Sequence, residues 1–161
     1  GQVWKFAFPR AYWDLIQEAA KKSGIDPYFA LAIMREESLF DPRALSRSKA
    51  MGLMQLMPFT AKEEARRQKI RLGTREAVFD PRINTRLGTG YLGQLAKRFQ
   101  DKLILTAGSY NAGPSNMKRW LKRWKGLSVD EFVETIPFLE TRNYVKRVYR
   151  SFRIYKRIYQ S

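Results

Sequence analysis

Two aspartate–proline pairs, Asp26-Pro27 and Asp80-Pro81, constrain this chain more than any other feature. In each, the aspartate can cap a helix and the proline ring pre-sets the first helical φ, so each pair reads as a helix start. After Asp80-Pro81 come Ile83, Leu87, Tyr91, Leu95 and Phe99, an apolar stripe at spacings of four. After Asp26-Pro27 an apolar helix is expected to run to about Phe40, where Asp41-Pro42 ends it, since a residue before proline avoids the helical region. Pro9 is read as opening a first helix with Leu15, Ile16, Ala19 and Ala20 on one side and Gly24 at its close. Further helices are expected over about 59–68, 103–111, from Pro114 onward, and 139–159, the last with Val148, Phe152, Tyr155 and Tyr159 on one stripe. The irregular stretch from Ala44 to Pro58 is left to hold whatever short β structure exists. The expected fold is mainly α with a minimal β element, one compact domain over 1–161 without linker or repeat.

A chain of 161 residues is long enough to bury a core unaided. It has no cysteine and no histidine, so disulfides, thiolate and imidazole chemistry, and the usual zinc ligands are excluded. No metal or cofactor is expected. No apolar run approaches the roughly 20 residues of a membrane span. The chain begins at Gly1 without a basic-then-apolar leader, which is read as a signal absent or already removed, hence a fragment or mature form. The net charge of +16 calls for a polyanionic partner as one reading: nucleic acid, anionic lipid or an acidic wall polymer.

Chemistry then rests on carboxylates, amides, hydroxyls and rings. On the second helix, Glu37 lies one turn beyond Ile33 and two beyond Ala30, along an apolar face. Burial there would raise its pKa toward the range of a general acid. Glu36 is one turn from Ala32 and Ile33, and the helical wheel does not choose between the neighbours. Asp41 is the obvious second acid by proximity and is read as a turn residue before Pro42.

Glu37-Ser38, Gly52-Leu53-Met54-Gln55-Leu56-Met57-Pro58, Tyr110-Asn111-Ala112-Gly113-Pro114 and Glu140-Thr141-Arg142-Asn143-Tyr144-Val145 resemble, in order and approximate spacing, the motifs of the soluble lytic transglycosylases. The resemblance runs from about Phe8 to Tyr155. It implies a lysozyme-like α+β fold and cleavage of the β-1,4 bond between N-acetylmuramic acid and N-acetylglucosamine in peptidoglycan, giving a 1,6-anhydro end without water. The glutamate directly before serine matches the family's one essential acid, which selects Glu37 as acid and then base. Glycosidases with two carboxyl groups set them about 5–9.5 Å apart; the implied mechanism needs one.

The resemblance also implies substrate-binding roles. Ser38 follows the acid. Ser46 would sit near the sugar N-acetyl group or the catalytic carboxyl. Gln55 would offer donor and acceptor to a sugar amide, and Met57 an apolar floor. Tyr110 would hold the N-acetyl carbonyl or the Glu37 carboxyl, and Asn111 the bound sugar. Glu140 and Tyr144 would line the opposite wall, with Glu140 alternatively a first-turn acid complementing the helix dipole. Core packing is expected of Leu53, Met54 and Ala112, and turn geometry of Gly52 and Gly113. Lys49 stands where the family commonly has glycine, and Ser109 where alanine is usual.

The expected partners are peptidoglycan strands and anionic envelope surfaces, in the periplasm or envelope of a bacterium, for a monomer that does not bind nucleic acid. Two other classes remain open at this point: a hydrolase on the same bond, like a goose-type lysozyme, and a non-enzymatic basic module for nucleic acid or wall. The aromatic residues of the last helix fall on a core-like stripe, which argues against nucleic acid.

Overall fold

The computed structural model describes residues 2–160, so Gly1 and Ser161, the ends of the expected domain, lie outside the described residues. Among the described residues nine α-helices follow one another: α1 (Gln2–Ala7), α2 (Trp13–Ser23), α3 (Pro27–Ser38), α4 (Pro58–Arg67), α5 (Pro81–Arg98), α6 (Leu103–Ala112), α7 (Pro114–Arg123), α8 (Val129–Thr135) and α9 (Leu139–Tyr159). A single 3-10 turn, Glu76–Phe79, precedes α5. Among the described residues the β structure is confined to two isolated antiparallel bridges, Leu45 with Met51 and Met51 with Leu56.

Both aspartate–proline starts act as expected. The Asp26 carboxylate accepts from the Tyr28 N–H, and Asp80 accepts from Arg82 and Ile83, each satisfying donors that the first helical turn leaves free. Pro9, in contrast, does not open a helix. The chain turns at 11–12, Tyr12 takes a left-handed φ of 54°, and α2 begins only at Trp13. The second expected helix stops two residues early. Leu39 and Phe40 both have positive φ, and the Ser38 hydroxyl accepts the Phe40 N–H, which closes the helix before Asp41-Pro42. Helices α1 and α8 and the 3-10 turn were not among the expected elements.

Helix α3 is the centre of the molecule. Every residue from Tyr28 to Met34 is buried, the signature of a helix that is apolar all round and wrapped by others. It packs against α9 and α2, while α6 packs on α9 and α5 on α2. Their shared core includes Ile16, Leu31, Ile33, Met34, Leu92 and Val148. Burying each such large side chain contributes about 1.5–3 kcal/mol. A second, smaller cluster of Met51, Leu56, Ala61, Ala65, Val78 and Leu87 lies under the bridged loop. The last turn of α3, the 51–57 loop and the start of α9 thereby converge on rigid supports.

Candidate active site

The two adjacent glutamates of α3 are in different company. Glu36 is ion-paired with Arg35 at 3.0 Å and Arg147 at 3.2 Å, and the Ser151 hydroxyl donates to it at 2.7 Å. Its side chain is 7 % exposed and fully committed to holding α3 against α9. Glu37 has no ion-pair partner among the described residues. Its Oε1 accepts a 2.7 Å hydrogen bond from the Tyr144 hydroxyl on α9. Glu37 keeps part of its surface open, yet protein crowds the carboxyl, and loss of hydration pushes its pKa up to about 7. The Tyr144 hydroxyl opposes that rise, the charges of Glu140 and Glu36 add to it, and Arg147 opposes it. Burial and the contact with Glu37 also hold the Tyr144 phenol well above its ordinary value, so it stays a donor. A half-sheltered carboxyl with a pKa of about 7 can give up a proton and take one back.

Facing this carboxyl is a loop whose shape is fixed by side chains from three helices. The Ser38 hydroxyl donates to Leu53 O at 2.7 Å. The Tyr110 hydroxyl, from α6, donates to Met54 O at 2.6 Å. Asn84, from α5, is wholly buried: its Oδ1 accepts from the Met54 N–H at 2.8 Å, and its amide donates to Met51 O and Val78 O. Gly52 has a φ of +75°, and a Cβ there would stand 2.4 Å from the Asn84 amide, so both conformation and space demand glycine. Gln55 also has a positive φ and donates its amide to Ala44 O and Gly52 O at 3.0 Å.

These contacts redistribute the expected roles. Tyr144, and not Tyr110, holds the Glu37 carboxyl; the Tyr110 hydroxyl is occupied by the Met54 carbonyl because α6 brings it beneath the loop. Ser38 ties the end of α3 to the loop. Both amide hydrogens of Gln55 are engaged within the loop, so of its side-chain polar groups only the carbonyl oxygen is uncommitted. Ser46 accepts the Ala50 N–H in a turn that Lys49 closes with a φ of 70°, the conformation for which glycine is the low-cost residue. The Asn111 side-chain oxygen accepts from the Thr141 hydroxyl at 2.7 Å. Met57 is 44 % exposed at the start of α4, and Glu140 is exposed in the first turn of α9. Leu53 and Met54 are buried, as expected of core residues, and Ala112 packs at the edge of the core. Asp41 caps its own turn by accepting the Arg43 N–H.

Asn84 was missed in the sequence. Its only signal is a polar residue beside Ile83 on an apolar helix face, which any buried, structurally bonded asparagine would also give. Among the described residues, no group of three or more histidine, cysteine, aspartate or glutamate side chains is placed to hold a metal ion.

The profile of the Transglycosylase SLT domain matches residues 14–133, most of the chain. The chain belongs to the transglycosylase SLT family. It is 37 % identical over 153 residues to a soluble lytic murein transglycosylase of Escherichia coli K12, covering 92 % of this chain and 24 % of that protein. Among solved structures it resembles a lytic transglycosylase from Pseudomonas aeruginosa, determined as an inactive glutamate-to-glutamine mutant (39 % identity, TM-score 0.92, 97 % of this chain and 25 % of that one). It is similar as well to a 70-kDa soluble lytic transglycosylase in complex with bulgecin A (34 % identity, TM-score 0.95, 98 % and 26 %). This SLT chain therefore spans about a quarter of the length of these relatives. The expected mainly helical, lysozyme-like architecture is the one these neighbours share.

Proposed function

We propose that residues 1–161 form the catalytic domain of a peptidoglycan lytic transglycosylase, with Glu37 as its acid and base. The observation that carries this reading is the Glu37 carboxyl itself: crowded by protein, bonded by Tyr144, without an ion-pair partner among the described residues, and raised to about 7. Family membership and an inactive glutamate-to-glutamine relative support it.

In the proposed cycle, protonated Glu37 donates to the glycosidic oxygen between N-acetylmuramic acid and N-acetylglucosamine as the C1–O bond breaks. The N-acetyl carbonyl oxygen of the muramic sugar closes onto C1, giving an oxazolinium-like cation. The Glu37 carboxylate then takes the proton of the 6-hydroxyl, whose oxygen displaces the acetamido oxygen at C1. A 1,6-anhydro end results, Glu37 regains its proton, and no water is consumed. Tyr144 orients the carboxyl through both steps and stabilises its ionised form. The Asn111 amide and the Gln55 carbonyl hold sugar amides and hydroxyls, Ser46 lies toward the N-acetyl group, and Met57 gives an apolar floor. Ser38 and Tyr110 act on the loop that shapes the groove, and Glu140 lines the opposite wall with Tyr144. No step calls for a cofactor.

The substrate sets the location: the envelope of a bacterium, with peptidoglycan strands and anionic envelope surfaces as partners of a monomeric domain. Digestion of purified sacculi with the wild type and with Glu37→Gln tests the proposal, with products identified by mass. Anhydro-muropeptides are expected from the wild type and essentially none from a folded Glu37→Gln. Products heavier by one water, with free reducing ends, would make this a hydrolase and overturn the lyase reading. DNA binding retained in Glu37→Gln, with no muropeptide release by the wild type, would overturn enzyme function altogether.

A further inference from the structure

A cavity of about 260 Å³ lies between the end of α2, the end of α4 and the middle of α5. It shares no residue with the Glu37 groove described above. Four cations line it: Lys22, Arg67, Arg86 and Lys97. Glycines on α5 allow the neighbouring elements to approach closely. A Cβ on Gly93 would fall 2.7 Å from Ser23 O, and one on Gly90 2.9 Å from a Glu64 carboxylate oxygen.

The charges around this cavity do not cancel. Lys22 is paired with Glu18 at 2.6 Å, and Arg67 with Glu64 at 2.6 Å. Buried Glu64 also accepts from the amides of Gln68 and Gln94, so its oxygens are satisfied from within the protein. The side chains of Arg86 and Lys97 make no hydrogen bond or ion pair among the described residues, although the Arg86 carbonyl accepts from the Gln68 amide at 3.0 Å and Glu18 lies within electrostatic reach of Arg86. The Arg86 Nε is moreover buried with no partner, one of only two such side-chain atoms among the described residues. A buried donor without an acceptor calls for an explanation, and the capacity to bind an anion is one. Two uncompensated positive charges, one a planar fork and one an ammonium, suit a ligand carrying two negative charges and several acceptor oxygens.

We propose that this cavity is a binding site for a phosphate-class dianion, as free phosphate or as a phosphate monoester. The fork of Arg86 takes two oxygens, Lys97 neutralises the second charge, and Lys22 and Arg67 form a basic rim. The site is independent of the proposed catalytic cycle, and its test uses no turnover of murein.

Amide NMR spectra of the wild type, Arg86→Gln, Arg86→Lys and Lys97→Gln are titrated with inorganic phosphate at pH 8 and constant ionic strength. Saturable shifts at Ser23, Gly90 and Gly93 are expected in the wild type. Binding should be roughly tenfold or more weaker in Arg86→Gln, and partly restored in Arg86→Lys, which keeps the charge without the fork. Lys97→Gln, at an exposed position, reports the same loss if Arg86→Gln fails to give a native spectrum. Glycerol 3-phosphate distinguishes the sources: binding as tight as phosphate identifies an esterified partner, and binding more than tenfold weaker identifies the free ion. Shifts that never saturate, affinity unchanged in Arg86→Gln and Lys97→Gln, or acetate binding as tightly as phosphate would each overturn the proposal.

Discussion

Glu36 and Glu37 share a helix turn but not their company: Arg35 of α3 and Arg147 and Ser151 of α9 for the first, a phenol of α9 for the second. That difference has a measurable sign. An unfolded glutamate titrates near 4.5, whereas folded Glu37 titrates near 7. Below pH 4.5 both states hold the proton and the residue contributes no pH dependence. Between 4.5 and 7 the unfolded chain gives it up first, so stability falls as pH rises, by a total of about 3 kcal/mol. Glu37→Gln, permanently neutral, should therefore match the wild type near pH 4 and exceed it at pH 8 by about 1–3 kcal/mol in urea unfolding. Tyr144→Phe removes the bond that favours the ionised carboxyl. The descending limb of kcat/KM against pH, expected near 7 in the wild type, should then move to higher pH by roughly half a unit to one unit, with kcat reduced. A limb that stays in place would dissociate Tyr144 from the titration of Glu37.

At the scale of elements, α3 and α9 are joined by the Glu36 cluster, and its removal should act on stability. Glu36→Ala leaves Arg35 and Arg147 without their carboxylate and should cost about 2–4 kcal/mol in urea unfolding, less than for a fully buried pair because Arg147 is 45 % exposed. The helices were legible in the sequence where the signal is local. Asp26-Pro27 and Asp80-Pro81 carry cap and first-turn proline side by side, and the stripe of α5 repeats every four residues. Helix α8 carried a local signal too, a capping box between Ser128 and Glu131, which was passed over. Pro9 misled because proline opens a helix only when the chain behind it continues in helical φ, and Tyr12 does not. The site was legible as a set of motifs, since Glu37, the 52–58 loop and Tyr144 do converge. Which tyrosine would meet the carboxyl was not, because that depends on how α6 and α9 pack around α3, and Asn84 is a hub only once α5 is laid under the loop.

Taken whole, the molecule carries +16 on a surface where Lys118, Arg119, Lys122 and Arg123 of α7 and Lys146, Arg147, Arg150 and Arg153 of α9 are exposed. Long-range attraction to an anionic wall should raise the rate of encounter and weaken with salt. Sedimentation of Glu37→Gln with sacculi should show roughly tenfold weaker binding at 200 mM than at 50 mM salt, in the manner of counterion release; binding indifferent to salt would show that the net charge serves another purpose. The bond between Glu37 and Tyr144 crosses 107 positions of the chain. A ribosome that has made α3 has not yet made the phenol that steers its acid, and a protease that nicks α9 takes it away again. Under the proposed catalytic reading, competence is thus withheld until α9 has seated and is forfeited as soon as it lifts, so no half-finished blade is ever released.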